Sequence, residues 1–210
     1  KVKWTINRFK KAGYTKKNTI TIICSDHGYP DYSKETGHPE YYVKHNLSHD
    51  LVLTDDNIMI PLFIQFPGCP EGKKITSTVS SLDIFPTIFD ILEKEINNNI
   101  IGKSLLPLIS NNYLKNNEYH KRYFRTDSRL KQQSGRGTSI RNNTWKYIFY
   151  YDNIRGGGNE EFFNIIKDPL EKNNLIKSKN KNILMLIDEF KNELKKSENE
   201  AKDFHKKYQK

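Results

Sequence analysis

An acid and an imidazole stand side by side at Asp26 and His27, between the run TITIIC at 19–24 and Gly28. A carboxylate oxygen and an imidazole nitrogen together make a good donor pair for a divalent cation, and Gly28 lets the backbone turn sharply away. The plainer alternative is an aspartate capping the next turn and a histidine bonded to backbone. On the dipeptide alone the two readings weigh equally. Context moves the balance. About thirty residues separate this run from the next apolar one, and they carry His38, His45 and His49. A connection of that length usually has a use of its own. His38 reads as an ordinary surface histidine.

The elements that must position this pair are strands. TITIIC and the second run, IMIPLFIQF at 58–66, are apolar almost without alternation. That pattern suggests burial on both faces, as in a parallel sheet covered by helices. Ligands gather at the carboxyl ends of such strands, which is where Asp26 and His27 lie. Cys24 is then expected to pack inside the first strand as a small hydrophobe. Pro61 fits only near the beginning of the second. A short helix is predicted over 4–11, ending near Gly13. SSLDIFPTIFDILEKE at 80–95 predicts another helix. Ser81 or Asp83 would cap it, Pro86 would sit in its first turn, and Ile84, Ile88 and Ile91 or Leu92 would face inward.

Around 110–118 the composition shifts to NNYLKNNE, a linker signal. Beyond it, 123–129, 138–152 and 160–166 read as strands. Gly156, Gly157 and Gly158 suit a hairpin turn between the last two, and no Lys-Ser/Thr follows them as a phosphate-binding loop requires. From Asn180 onward, Ile183, Leu186, Ile187, Phe190 and Leu194 keep helical spacing, and the charged tail after Lys195 is expected to project or fray.

Composition narrows the classes. The chain has 210 residues and a net charge of +10, and of its 35 basic residues only seven are arginine. Lysines spread widely among asparagines make solvated faces rather than a nucleic-acid surface. Cys24 and Cys69 lack CxxC spacing, which argues against a zinc site built on them. No apolar run reaches the roughly 18–20 residues that span a bilayer. The chain starts at Lys1 inside a helix-like pattern with no signal-peptide features, so it reads as a piece of a longer protein.

Six segments in order carry a family resemblance: SDHG at 25–28, IPLFIQFPG at 60–68, SSLDIFPTIFDIL at 80–92, IIGKSLLPLI at 100–109, TWKYIFYY at 144–151 and EEFFNIIKDPLEKNNL at 160–175. Together they resemble the downstream part of the sulfatase catalytic domain, within the alkaline-phosphatase superfamily. The collinear match covers roughly residues 3–176. The resemblance implies an α/β fold, part of a mixed sheet sandwiched by helices, over 1–115. A small antiparallel sheet with a terminal helix would follow over 116–210. It implies that Asp26 and His27 belong to the acidic pair holding a divalent ion, calcium in most sulfatases and manganese or zinc in the phosphatase branches. That ion would bring nucleophile and sulfate oxygen together. It also implies a basic group before the IPLFI strand. The usual lysine position falls on Asp50, so a one-residue insertion would make His49 that group, able to stabilise an oxyanion or protonate the leaving alcohol. His45 and Lys44 are lesser candidates.

A sulfatase also needs a first pair of aspartates and a cysteine or serine converted to formylglycine in a Cys/Ser-x-Pro/Ala-x-Arg setting. Neither Cys24 nor Cys69 has that setting. The expectation is therefore a sulfatase-like hydrolase acting on a small-molecule or glycan sulfate ester, with its nucleophile upstream, and inactive as these 210 residues alone. The same superfamily offers a phosphatase, phosphonate hydrolase or lipid-headgroup transferase instead. Another class would be a single-strand nucleic-acid binder using Arg122, Arg125, Arg129, Arg136 and Arg141 with Tyr123, Phe124 and Trp145. The favoured reading puts those arginines on the rim of the small sheet and expects no nucleic-acid partner. A non-catalytic scaffold is the third reading.

Overall fold

The structure, a computed structural model, describes residues 1–29, 53–96, 100–110, 118–128, 137–151 and 159–208. They fall into two compact units, residues 1–26 with 60–120 and residues 27–59 with 121–210. The described elements are mixed helices and antiparallel sheets.

In the first unit, helix α1 (Val2–Lys11) ends before Gly13, whose φ of +91° suits glycine. Strands β1 (Thr21–Cys24) and β2 (Leu62–Gln65) pair antiparallel, with Thr21 opposite Gln65 and Cys24 opposite Leu62. This corrects the parallel expectation: a continuous apolar run encodes burial, not direction. Burial on both faces is also not what these strands have. Phe63 is 64% exposed, and Cys24, the last residue of β1, is exposed rather than packed in a core. Pro61 precedes β2, where its missing N–H costs no ladder bond.

A 3₁₀ turn (Ser81–Asp83) leads into helix α3 (Ile84–Ile91), which comes after the single-turn helix α2 (Asp55–Ile58) of the second unit in chain order. Asp83 holds the N-cap position of α3 without a side-chain cap bond to it, and the side-chain cap belongs to Ser80, at the start of the 3₁₀ turn, rather than to Ser81. The Ser80 hydroxyl oxygen accepts the Leu82 N–H while Asp83 accepts the Ser80 N–H at 2.9 Å, a reciprocal capping box. Asp83 is fully buried and also accepts the Lys103 N–H at 2.8 Å. The Thr87 hydroxyl donates to the Asp83 carbonyl and accepts the Leu105 N–H. Thus the innermost face of α3 is Asp83, Pro86 and Thr87, which grips 102–105, while Leu92 lies past the helix end and is exposed. Gly102 is obligatory there, because a Cβ would stand 2.0 Å from the Leu82 carbonyl oxygen. Helix α4 (Leu106–Ile109) then completes a core of Phe66, Leu105, Leu108, Ile109 and Tyr119.

The second unit is a four-stranded antiparallel meander: β3 (Phe124–Ser128), β4 (Gly137–Arg141), β5 (Trp145–Tyr150) and β6 (Glu160–Asn164). The Asn142 side chain accepts the N–H groups of Thr144 and Trp145, closing the β4–β5 turn. The proposed glycine turn at 156–158 lies outside the described residues, although β5 and β6 pair as expected. Strand periodicity splits this sheet into two faces. Ile140, Tyr147 and Phe162 pack against Ile187, Phe190 and Leu194 of helix α5 (Lys181–Tyr208). Ile148, Tyr150 and Phe163 pack against Leu53 and Ile165 on the other face. Helix α5 continues past Lys195 to Tyr208, so the charged tail is helical rather than frayed: Glu, Lys and Ala are all good helix formers.

Candidate functional site: the His27 turn and its ionic support

Asp26 is exposed and closes the first stretch of one unit; His27, half-buried, opens the first stretch of the other. The His27 Nδ1 stands 2.5 Å from the Gly28 carbonyl oxygen. A carbonyl can only accept, so that contact places a ring proton on Nδ1. Metal-binding histidines are commonly oriented in this way, one ring nitrogen donating to a carbonyl and the other left to ligate. Asp26 and His27 each carry a donor type that divalent cations take, an oxygen and a nitrogen. Among the described residues, no cluster of three or more His, Cys, Asp or Glu side chains could hold a metal by itself. His49, His45, Lys44 and His38 lie outside the described residues.

The turn after His27 is held by backbone. The Gly28 N–H donates to the Asn57 carbonyl at 2.7 Å. A Cβ on Gly28 would lie 2.2 Å from the Asp56 carbonyl oxygen, so only glycine permits the approach. Asp56 and Asn57 belong to the single-turn helix α2 (Asp55–Ile58), which follows Thr54 in extended conformation.

Helix α2 is tied to the sheet by charge. Asp55 sits between two cations of neighbouring strands, accepting from Arg141 at 2.7 Å and from Lys146 at 2.9 Å. Arg141 and Lys146 face each other across β4 and β5 in the ladder, where like charges repel unless an anion separates them. Lys146 also pairs with Glu171 at 2.7 Å, and the second Glu171 oxygen accepts the Asp55 N–H at 2.7 Å. One carboxylate thus caps α2 and neutralises the lysine. Lys146 is 0% exposed, Glu171 2% and Arg141 7%. Two positive and two negative groups balance, as burial of charge requires. Burial pushes the Glu171 carboxyl above its usual range, and the Lys146 ammonium acts in the opposite direction. Glu171 also has a φ of +52°, a left-handed backbone that a non-glycine residue adopts only when its surroundings impose it.

Of these four residues the sequence singles out only Arg141, and for the rim of the small sheet. The one signal was a lysine at an inward position of WKYIFY, in register with Ile148 and Tyr150. The rim expectation for the arginines fails at Arg141, which is buried against Asp55, while Trp145 stacks on Phe162 at 5.3 Å. Arg125 pairs with Asp127, and Arg129 and Arg136 lie outside the described residues.

Comparisons with known proteins agree with this architecture. Residues 44–200, well over half the chain, match N-sulphoglucosamine sulphohydrolase, C-terminal. Arylsulfatase K of dog is 29% identical over 162 residues, covering 76% of this chain and 28% of the relative. Arylsulfatase K of human is 29% identical over 166 residues, with the same coverage. The chain thus spans under a third of the length of these relatives. A structure solved with its substrate D-glucosamine-2-N,6-O-disulfate aligns with a TM-score of 0.68 at 21% identity, over 96% of this chain and 38% of that one. The phosphonate monoester hydrolase of Silicibacter pomeroyi aligns at 0.63 with 17% identity, over 96% of this chain and 38% of its own. The structural neighbours have the alkaline-phosphatase-like fold, and the sequence match decides the family: the chain belongs to the sulfatases, as a C-terminal region of the N-sulphoglucosamine sulphohydrolase type.

Proposed function

We propose that this chain is the downstream part of a metal-dependent sulfatase-like hydrolase, in which Asp26 and His27 hold a divalent cation, calcium in the first place. The observation that supports the reading is the His27 ring, whose Nδ1 stands 2.5 Å from the Gly28 carbonyl oxygen, a contact common among metal-binding histidines. Asp26 would supply an oxygen and negative charge. When bound, the cation supplies Lewis-acid stabilisation of the ester oxygens. The protein's own part is to orient His27 through Gly28 and α2, and, through His49, to offer a proton or positive charge to the leaving oxygen. The nucleophile, a formylglycine, would come from sequence upstream of Lys1, so these residues alone would not turn over substrate. A glycan sulfate is the substrate class favoured, because one similar structure was solved with D-glucosamine-2-N,6-O-disulfate.

The second reading, a phosphonate or phosphate ester hydrolase, draws on the imidazole donor, which suits borderline metals better than calcium, and on the similarity to phosphonate monoester hydrolases. The test is turnover of the full-length protein on a sulfate ester and on a phosphate ester, under calcium and then manganese. The sulfatase reading expects the sulfate ester to be preferred with calcium, and Asp26→Ala to abolish both ion uptake and turnover. Preference for phosphate with manganese would favour the second reading. Turnover untouched in Asp26→Ala would overturn both.

A further inference from the structure

We propose that the buried quartet Asp55–Arg141–Lys146–Glu171 is a positioning device for the His27 turn, so that residues of the C-terminal sheet set the orientation of a ligand more than a hundred positions earlier in the chain. The ligand role of His27 rests on the reading above; the positioning itself rests on a continuous run of contacts. The His27 Nδ1 meets the Gly28 carbonyl, and the Gly28 N–H donates to the Asn57 carbonyl. Asn57 lies in α2, which begins at Asp55. Asp55 is held on three sides, by the Arg141 guanidinium, the Lys146 ammonium and, through its N–H, the Glu171 carboxylate.

Three observations set this quartet apart from an ordinary ion pair. Three of its members, Arg141, Lys146 and Glu171, are buried and Asp55 is one-fifth exposed; buried ion pairs are weak devices for stability while useful ones for fixing a unique geometry. It holds a helix of one turn, too short to form on its own account. It keeps Glu171 in a left-handed backbone conformation, a cost tolerated where geometry matters. By contrast, the Lys191–Glu160 pair at 2.7 Å is partly exposed and touches neither α2 nor the turn.

The experiment uses the full-length protein and two readouts. Amide exchange, followed by mass spectrometry on metal-free protein, reports the peptides over 24–29 and 53–59. Calorimetry with calcium chloride reports cation affinity. Asp55→Asn keeps the shape and removes the charge; it is expected to speed exchange in both peptides and to weaken calcium binding about tenfold, the usual scale for losing an outer-shell support. Gly28→Ala, which leaves the quartet intact, is expected to do the same to 24–29. Asp55→Glu should recover part of both losses. Lys191→Met should leave both readouts at wild-type values. If Asp55→Asn lowers only the melting temperature, with exchange at 24–29 and calcium affinity unchanged, the quartet is structural and the proposal is overturned. Should Asp55→Asn fail to fold, Asp55→Glu, which keeps the charge but shifts the carboxylate within the quartet, decides on the same two readouts. If exchange at 24–29 responds but wild type takes up no cation, the positioning stands and it is the metal reading of His27 that fails.

Discussion

The two sheets look alike as sequence and differ as structure. LFIQ of β2 and EEFFN of β6 are short and rich in phenylalanine, yet Phe63 is 64% exposed and Phe162 is 0% exposed. In the four-stranded sheet both faces are covered, one by α5 and the other by Leu53, Ile58 and Ile165. In the two-stranded pair, β2 meets the core of its unit through Leu62 and Ile64 while Phe63 points away from it. The alternation is that of a sheet covered on one side. An apolar run therefore states a capacity for burial, and the cover decides whether the capacity is used.

The comparison breaks most sharply at the charged centre of the buried sheet. Lys146→Ala would leave the buried Glu171 without its cation while Asp55 keeps Arg141, and is expected to cost about 3–5 kcal/mol in denaturant unfolding. Phe162→Ala removes the ring that stacks on Trp145 and meets Phe190 edge-on, for a similar loss of about 3–5 kcal/mol.

A smaller effect separates Glu160 of β6 from Glu171 by pH. Burial works to raise Glu160, but the Lys191 ammonium and the Tyr147 hydroxyl hold it below its ordinary 4.5. Its contribution is present above that value and is lost as pH falls through the lower folded value. Glu171 is raised above 4.5, chiefly by burial, so its contribution is complete below that value and is lost as pH rises through the folded one. Urea unfolding against pH should show wild type losing ground to Glu160→Gln below pH 4.5 and gaining on Glu171→Gln as pH falls toward 4.5. Parallel profiles for the two variants would contradict the assignment.

The smallest effect belongs to the open strand. Phe63→Ser should change unfolding free energy by no more than about 0.5 kcal/mol, as for other exposed positions. A cost near that at Phe162 would mean that this face is covered.

Most of the elements were legible because their signals are local. Helical spacing marked α5 from Ile183 to Leu194, and the runs at 123–129 and 160–166 each contain one strand of the meander, whereas the run read at 138–152 is broken by the Asn142 turn into β4 and β5. The helix after Ser80 was legible too, with Asp83 at its N-cap position, but the side-chain cap sits on Ser80 at the 3₁₀ turn, since Ser80, Ser81 and Asp83 are all cap formers and only geometry selects among them. The Asp26–His27 pair was visible as chemistry at a strand end. Its support was not.

The sequence by itself determined the family, through ordered motifs, and the periodicity that sorts the meander's residues onto two faces. Tertiary structure alone decided the antiparallel pairing of β1 with β2, the exposure of Cys24 and Phe63, and the meeting of Asp55, Arg141, Lys146 and Glu171. The reason is range: caps, periods and turns act over a few residues, whereas strand direction and charge neutralisation in an interior depend on groups brought together from distant parts of the chain.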